Sequence, residues 1–252
     1  MLTTPGIDPS TLDFTGKRVL VTGAAGGIGD AIARAFHAHG ATLLLADIDR
    51  EGLVKLAAQL RDSHTLVYDQ RDAASIASLA EAAGNVDVLM NNAGILRTGA
   101  LLDADALQID EVIRTNLIGP MQVLLSIATG MVTRGSGVIV NTASQLAFSG
   151  SATRALYASA KAGLVQFTKS AAAELGPKGV RVVALAPGRT RTPLNAHLLA
   201  DPEELAWSLR RIPARRIGEA QEMARLALLL ASPLADYVLG ETLIADGGYV
   251  LE

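Results

Sequence analysis

Residues 18–29 read Arg-Val-Leu-Val-Thr-Gly-Ala-Ala-Gly-Gly-Ile-Gly, and the residues that follow, to His39, have the spacing of an amphipathic helix. A short apolar run, a cluster of glycines and a helix start describe a strand entering a βα turn. Glycines at such a turn let the backbone approach a pyrophosphate closely. The helix N-terminus then adds unpaired N–H groups and the positive end of its dipole. Asp47 closes the next apolar run, 18 residues after Gly29, near the roughly 20 expected of a carboxylate that takes ribose hydroxyls. Asp47 could instead cap the following helix, a task open to Asp49 as well.

Outward from this turn, apolar runs of four to six residues alternate with longer amphipathic stretches. The strands are expected at Arg18–Val21, Thr42–Ala46, Thr65–Tyr68, Val86–Met90, Val138–Asn141, Val180–Ala186 and Thr242–Ala245. Most are apolar throughout, as in strands buried on both faces of a parallel sheet. Helices are expected at Gly27–His39, Arg50–Arg61, Ala73–Ala83, Ala106–Met131, Ala155–Leu175 and Ala220–Leu230. Strict alternation gives βαβ units, hence a doubly wound α/β fold. Residues 14–252 read as one domain after a short leader, 1–13. One segment breaks the alternation: residues 190–213 carry Pro193, Pro202 and Pro213, with a weak helical pattern over Pro202–Arg211. A long connection in a compact domain is usually functional, and this one is read as a substrate lid.

Composition narrows the function classes. The chain of 252 residues has 22 Lys+Arg, 25 Asp+Glu and a net charge of −3, so no basic field exists to hold nucleic acid. Cysteine is absent, which excludes thiolate chemistry and Cys-ligated zinc. His37 and His39 face apart on a helix, and His64 and His197 lack ligand partners, so no metal is expected. The apolar stretch Met223–Ala235 is too short to span a membrane, and the start of the chain lacks a signal pattern. A cytoplasmic protein is expected.

The chemistry centres on Tyr157-Ala-Ser-Ala-Lys161. Positions i and i+4 share a helix face. A phenol of pKa about 10 is a poor base at neutral pH, and a neighbouring ammonium favours its ionised form. Ser144 lies thirteen residues before Tyr157. Asn91-Asn92-Ala93-Gly94 follows the fourth strand, Thr115-Asn116 lies in the next helix, and Pro187-Gly188 follows the sixth strand. Open α/β sheets present ligands at these strand ends.

In order and spacing this set closely resembles the short-chain dehydrogenase/reductase family in its single-domain form. The resemblance runs from Lys17 to Asp246-Gly247-Gly248. It implies a seven-stranded sheet of order 3-2-1-4-5-6-7 and a hydride transfer between nicotinamide and a carbon bearing oxygen. Tyr157 would be the general acid/base. Lys161 would tune it and hold the nicotinamide ribose, and Ser144 would polarise the substrate oxygen. Asn116 would kink its helix and anchor a water relay from Lys161. Gly23, Gly27, Ile28 and Gly29 would pack on the pyrophosphate. Asp69 and Gln70 would lie at the adenine, with Asn92, Ala93 and Gly94 along the adenosine. Gln70 departs from the family pattern, where a small aliphatic is common. Pro187, Gly188 and either Thr190 or Thr192 would hold the carboxamide. The helices Ala106–Met131 and Ala155–Leu175 would form a homotetramer.

Asp47 would repel a 2′-phosphate, and only Arg50 stands near to offset it, so NAD is favoured over NADP. The substrate expected is a secondary alcohol or ketone, with a polyol or sugar in view. The alternative is an NADPH-dependent 3-oxoacyl-[acyl-carrier-protein] reductase, with Arg134 and Lys178 as contacts for an acidic carrier. A nucleotide-sensing scaffold without turnover is a third reading, and the complete Asn116, Ser144, Tyr157 and Lys161 set argues against it. The arginines of the lid (189, 191, 210, 211, 215 and 216) are expected mainly to pair with acids or solvate. Leu194, Leu198, Leu199 and Trp207 would give the lid an apolar surface.

Overall fold

A computed structural model describes residues 9–251, apart from 194, 195 and 197–199. The order is β1 (Arg18–Thr22), α1 (Gly27–Ala38), β2 (Thr42–Asp47), α2 (Arg50–Ala57), β3 (Ser63–Val67), α3 (Ala73–Ala83) and β4 (Val88–Asn91). Then come α4 (Ala106–Ile113), α5 (Gly119–Arg134), β5 (Gly137–Thr142), α6 (Ala155–Leu175), β6 (Val180–Pro187), β7 (Thr190–Arg191), α7 (Pro202–Arg211), β8 (Gly218–Glu219), α8 (Ala220–Ala231) and β9 (Thr242–Ala245). Seven strands form one parallel sheet of order β3-β2-β1-β4-β5-β6-β9, as the resemblance implies.

Alternation along each strand feeds two apolar layers. Val19, Val21, Leu43 and Leu45 face one side and meet Ile32 and Phe36 of α1 and Met223 and Ala227 of α8. Leu20, Leu44 and Leu89 face the other, against Leu79 of α3 and Leu124, Ile127 and Met131 of α5. Each fully buried large side chain stabilises the fold by about 1.5–3 kcal/mol relative to exposure. β3 sits at the edge and is half-exposed, so it lacks the uninterrupted apolar run of the central strands.

Two features differ from the expected elements. The helix expected over Ala106–Met131 is three pieces: α4, a π-turn at Arg114–Ile118, and α5. Joined, Ala106–Arg134 is long and apolar enough to cross a membrane, but half of its most apolar window is buried inside the domain, as in the core helix of a globular protein. The described parts of the segment expected as a lid are tied down by structure that the sequence pattern does not announce: β7 pairs with β8, and Leu205 and Leu209 of α7 pack on Ile212, Ile217 and Tyr249. The expected helix over Pro202–Arg211 is present, capped by Asp201, which accepts the Glu203 N–H at 2.9 Å. Leu194, His197, Leu198 and Leu199 lie outside the described residues, as does the leader up to residue 8; Pro9–Leu12 form a short 3-10 turn.

Candidate active site

The glycine turn is built by close approach. Gly23 has a φ of +65°. A Cβ at Gly29 would collide with the Gly23 carbonyl, and one at Gly27 would lie 2.8 Å from Cβ of Thr192. Gly26, the N-cap of α1, offers no side chain to its N–H groups, which leaves them for a ligand. Thr22 braces the turn from below: its Oγ1 accepts the N–H of Asn92 at 2.9 Å and of Ala93 at 3.1 Å. The Asn92 amide returns a hydrogen bond to the Thr22 carbonyl at 3.1 Å. The sequence reading passed over Thr22 because its partners lie some seventy residues away.

This turn borders a cavity of about 520 Å³, also lined by Asp47, Asp69, Gln70, Ala93 and Gly94. The capping question resolves: Asp49 caps α2 by accepting the Gly52 N–H at 3.0 Å. Asp47 faces the cavity, its two oxygens accepting the N–H groups of Ala25 and Asp49, each at 3.0 Å. Asp69 is held by Arg71 at 2.7 Å, and this hydrogen bond keeps its carboxyl below the usual range. Gln70 is buried and spends both amide hydrogens internally, on the carbonyls of Ala93 at 3.0 Å and Thr115 at 2.6 Å; its oxygen accepts from Tyr68 at 2.8 Å. It therefore acts as a brace between β3, β4 and the π-turn. A dinucleotide suits this cavity: a glycine cradle that any Cβ would fill, an uncapped helix end for phosphate and a carboxylate for hydroxyls.

Deeper in, Lys161 is only 3% exposed, and its Nζ donates to the Thr142 carbonyl at 2.7 Å. The same nitrogen stands 5.8 Å from the Tyr157 ring centroid. Burial pushes Lys161 down to about 8. Burial also pushes the Tyr157 phenol up, and the Ser144 hydroxyl beside it works the other way. Desolvation thus opposes the tuning that a nearby ammonium alone would give. Asn116 is fully buried in the π-turn; a Cβ on Gly94 would lie 2.7 Å from its Oδ1 and 3.5 Å from Lys161 Nζ. Glycine at 94 lets Asn116 and Lys161 meet at one corner.

Ser144 and Tyr157 line a second cavity, of about 200 Å³. Ile28 and Thr192 line both cavities, so the two lie side by side. Thr190 borders only the second, and its hydroxyl donates to the Gly188 carbonyl at 3.1 Å. Gly188 is pinned by its N–H to Ala245 at 2.8 Å. Two further residues that the sequence reading did not single out, Gln145 and Arg154, line this cavity with Arg189 and Tyr249. Their role comes from strands and helices far apart in sequence, so no local pattern announces it. Three of the six lid arginines are paired with acids: Arg189 with Glu204 at 2.9 Å, Arg191 with Glu219 at 3.4 Å, and Arg216 with Glu222 at 2.6 Å. Trp207 lies between Arg189 and Arg211, at 4.9 and 5.1 Å.

Known proteins resemble this chain over nearly its whole length. The family described as enoyl-(acyl carrier protein) reductase matches residues 23–250. A 3-oxoacyl-[acyl-carrier-protein] reductase of Thermotoga maritima is 36% identical over 244 residues, covering 94% of this chain and 98% of the relative. A gluconate 5-dehydrogenase from Burkholderia cenocepacia, solved with NADP and tartrate, superposes with a TM-score of 0.92 at 32% identity, covering 96% of this chain and 98% of that one. A short-chain type dehydrogenase/reductase from Mycobacterium marinum gives a TM-score of 0.89 at 30% identity, over 95% and 98% of the two chains. The fold agrees with these structures, and the chain belongs to the short-chain dehydrogenase/reductase family of nicotinamide-dependent oxidoreductases.

Proposed function

We propose that this chain interconverts a secondary alcohol and a ketone, with a polyol, sugar or related small molecule as substrate and NAD(H) as the preferred cofactor. The observation that carries the reading is one cavity lined by both Ser144 and Tyr157, with Lys161 buried beside the Tyr157 ring and the Asp47 cavity adjoining it. A bound nicotinamide supplies the two-electron acceptor or donor. Tyr157 exchanges a proton with the substrate oxygen, and Ser144 donates a hydrogen bond to that oxygen as charge develops on it. Lys161 and Asn116 hold the phenol's surroundings. Thr192 and the turn at Pro187-Gly188 bind the carboxamide end. Asp47 accepts ribose hydroxyls and disfavours a 2′-phosphate. Arg71, the cation lining that cavity, is already engaged by Asp69.

The second reading, reduction of 3-oxoacyl carrier-protein thioesters, is favoured by the Thermotoga relative's activity. Against it, Arg134 is spent on Asn85 and the Val86 carbonyl, and Lys178 on Glu174, so neither is held ready for an acidic carrier. A homotetramer through α4, α5 and α6 fits the exposed Leu102, Leu107 and Leu125, and sedimentation would measure it. The deciding experiment is a turnover screen of NAD+, NADP+ and their reduced forms against polyols, sugars, secondary alcohols, ketones and 3-oxoacyl thioesters. Turnover confined to thioesters with NADPH would establish the second reading.

A further inference from the structure

The second cavity carries positive charge for which the proton-transfer set has no use. Two arginines, Arg154 and Arg189, line it, and none of the described lining residues is an aspartate or glutamate. Arg189 is answered by Glu204 at 2.9 Å and by the Trp207 face. Arg154 has no such answer: its side chain is half-buried and makes no hydrogen bond or ion pair among the described residues. It occupies the N-cap position of α6, where its carbonyl accepts the Ala158 N–H at 2.9 Å. The backbone is thereby fixed, three residues before Tyr157. Burial, and then the charge of Arg189, pull its pKa down, with Glu204 opposing. A half-hidden cation beside a like charge is unfavourable unless an anion joins it. Next to Ser144, Gln145 is also buried, and its Oε1 lacks a hydrogen-bond partner.

We infer that Arg154 anchors a substrate carboxylate, and that the chain acts on a small hydroxy or oxo acid whose reacting oxygen lies between Ser144 and Tyr157. The inference rests on the oxidoreductase reading above and specifies its substrate class. A guanidinium presents a planar fork that matches a carboxylate with two parallel hydrogen bonds. Arg154, Ser144 and Tyr157 line one cavity, so a carboxylate at the guanidinium and an oxygen at the phenol can belong to one small molecule. The cavity, at about 200 Å³, is smaller than the roughly 300–1,000 Å³ of sites for drug-sized ligands, which suits a short acid. Gln145 is placed to meet a further hydroxyl of that acid.

Paired substrates test the assignment. Hydroxy acids of two to six carbons are each compared with their methyl esters, alongside neutral polyols, with NAD+ and with NADP+. The acids are expected to exceed their esters at least tenfold in kcat/KM. Arg154→Gln should raise KM for the acids by about 10–100-fold, the range of one charged hydrogen-bonded contact. Its kcat, its activity on esters and its melting temperature should stay close to wild type, and Arg154→Lys should recover part of the loss. Esters or polyols turned over as well as acids, or equal loss on acids and esters in Arg154→Gln, would overturn the anchor while leaving the oxidoreductase reading intact. Absence of turnover with every alcohol, acid and thioester and both nucleotides would overturn both.

Discussion

The amide oxygen of Asn116 accepts the backbone N–H of Ile95 at 3.1 Å, while its nitrogen donates to the Val112 carbonyl one turn back at 3.0 Å. One buried side chain thus joins the loop after β4 to the π-turn between α4 and α5. Asn116→Leu preserves bulk but strands the Ile95 N–H, which costs about 1–3 kcal/mol. Urea denaturation should show that loss. Turnover should fall at least tenfold, because Gly94 and Lys161 share the same corner. A variant of wild-type stability would show that this pair contributes nothing to the fold.

Tyr157→Phe keeps the ring and removes only the ionisable hydroxyl. Cofactor affinity, from fluorescence titration, should change less than threefold, and turnover should fall below about 1% of wild type, in line with the large losses seen when an acid/base group is removed. Because burial raises the phenol, alcohol oxidation should speed up as pH rises above neutral and ketone reduction should slow. Residual activity of several per cent with the same pH profile would remove Tyr157 from the role.

Lys161 links pH to stability. Its pKa is about 8 in the fold against 10.5 when exposed. Between those values the unfolded chain binds the extra proton, so stability rises with pH over that window. The full effect is on the order of 3 kcal/mol. Urea midpoints of wild type and Lys161→Met should therefore draw apart in favour of wild type from pH 8 to 10.5. A constant difference would mean that Lys161 stays charged when buried.

Asp47→Ser with Ile48→Arg should raise the ratio of NADP to NAD efficiency by at least tenfold, read from kcat/KM with each nucleotide. Ile48 is 60% exposed at the cavity rim, so an arginine there has room to reach a phosphate. A wild-type enzyme already preferring NADP would shift attention to Arg50 and Arg71.

Trp207 is the sole tryptophan and lies between two arginines on α7. Substrate with cofactor should change its emission and slow hydrogen exchange across Pro202–Arg211, while β6 stays protected throughout. Exchange in α7 as slow as in β6 without ligand would make this helix a fixed element rather than a lid.

The fold was legible because its signals are local. Val19, Leu20 and Val21 form an uninterrupted apolar run, glycines punctuate the turn, and Tyr157 and Lys161 share one helix face. The missed features are those that depend on distant partners. The resemblance placed a kink at Asn116, but nothing around Asn116 in sequence shows that an N–H 21 residues earlier will claim its oxygen, so the split into α4, π-turn and α5 was not resolved. Gln70 looked like a departure at the adenine, yet it is a brace whose partners are Ala93 and Thr115. Arg154 reads as one more surface arginine until α6 is set against the Ser144 turn.

Placing β1 at the centre of the sheet has a consequence for synthesis. β1 pairs with β2, which follows closely in the chain, but its other edge must wait until β4 is made. The Arg18 N–H bonds Asp87, 69 residues further along the chain. At about 5–20 residues per second, that edge stays open for roughly 3–14 s on the ribosome. During that interval an apolar strand with unpaired backbone groups faces its surroundings. An open apolar edge of this kind is exposed to mispairing, and slower translation before Val88 would lengthen that exposure.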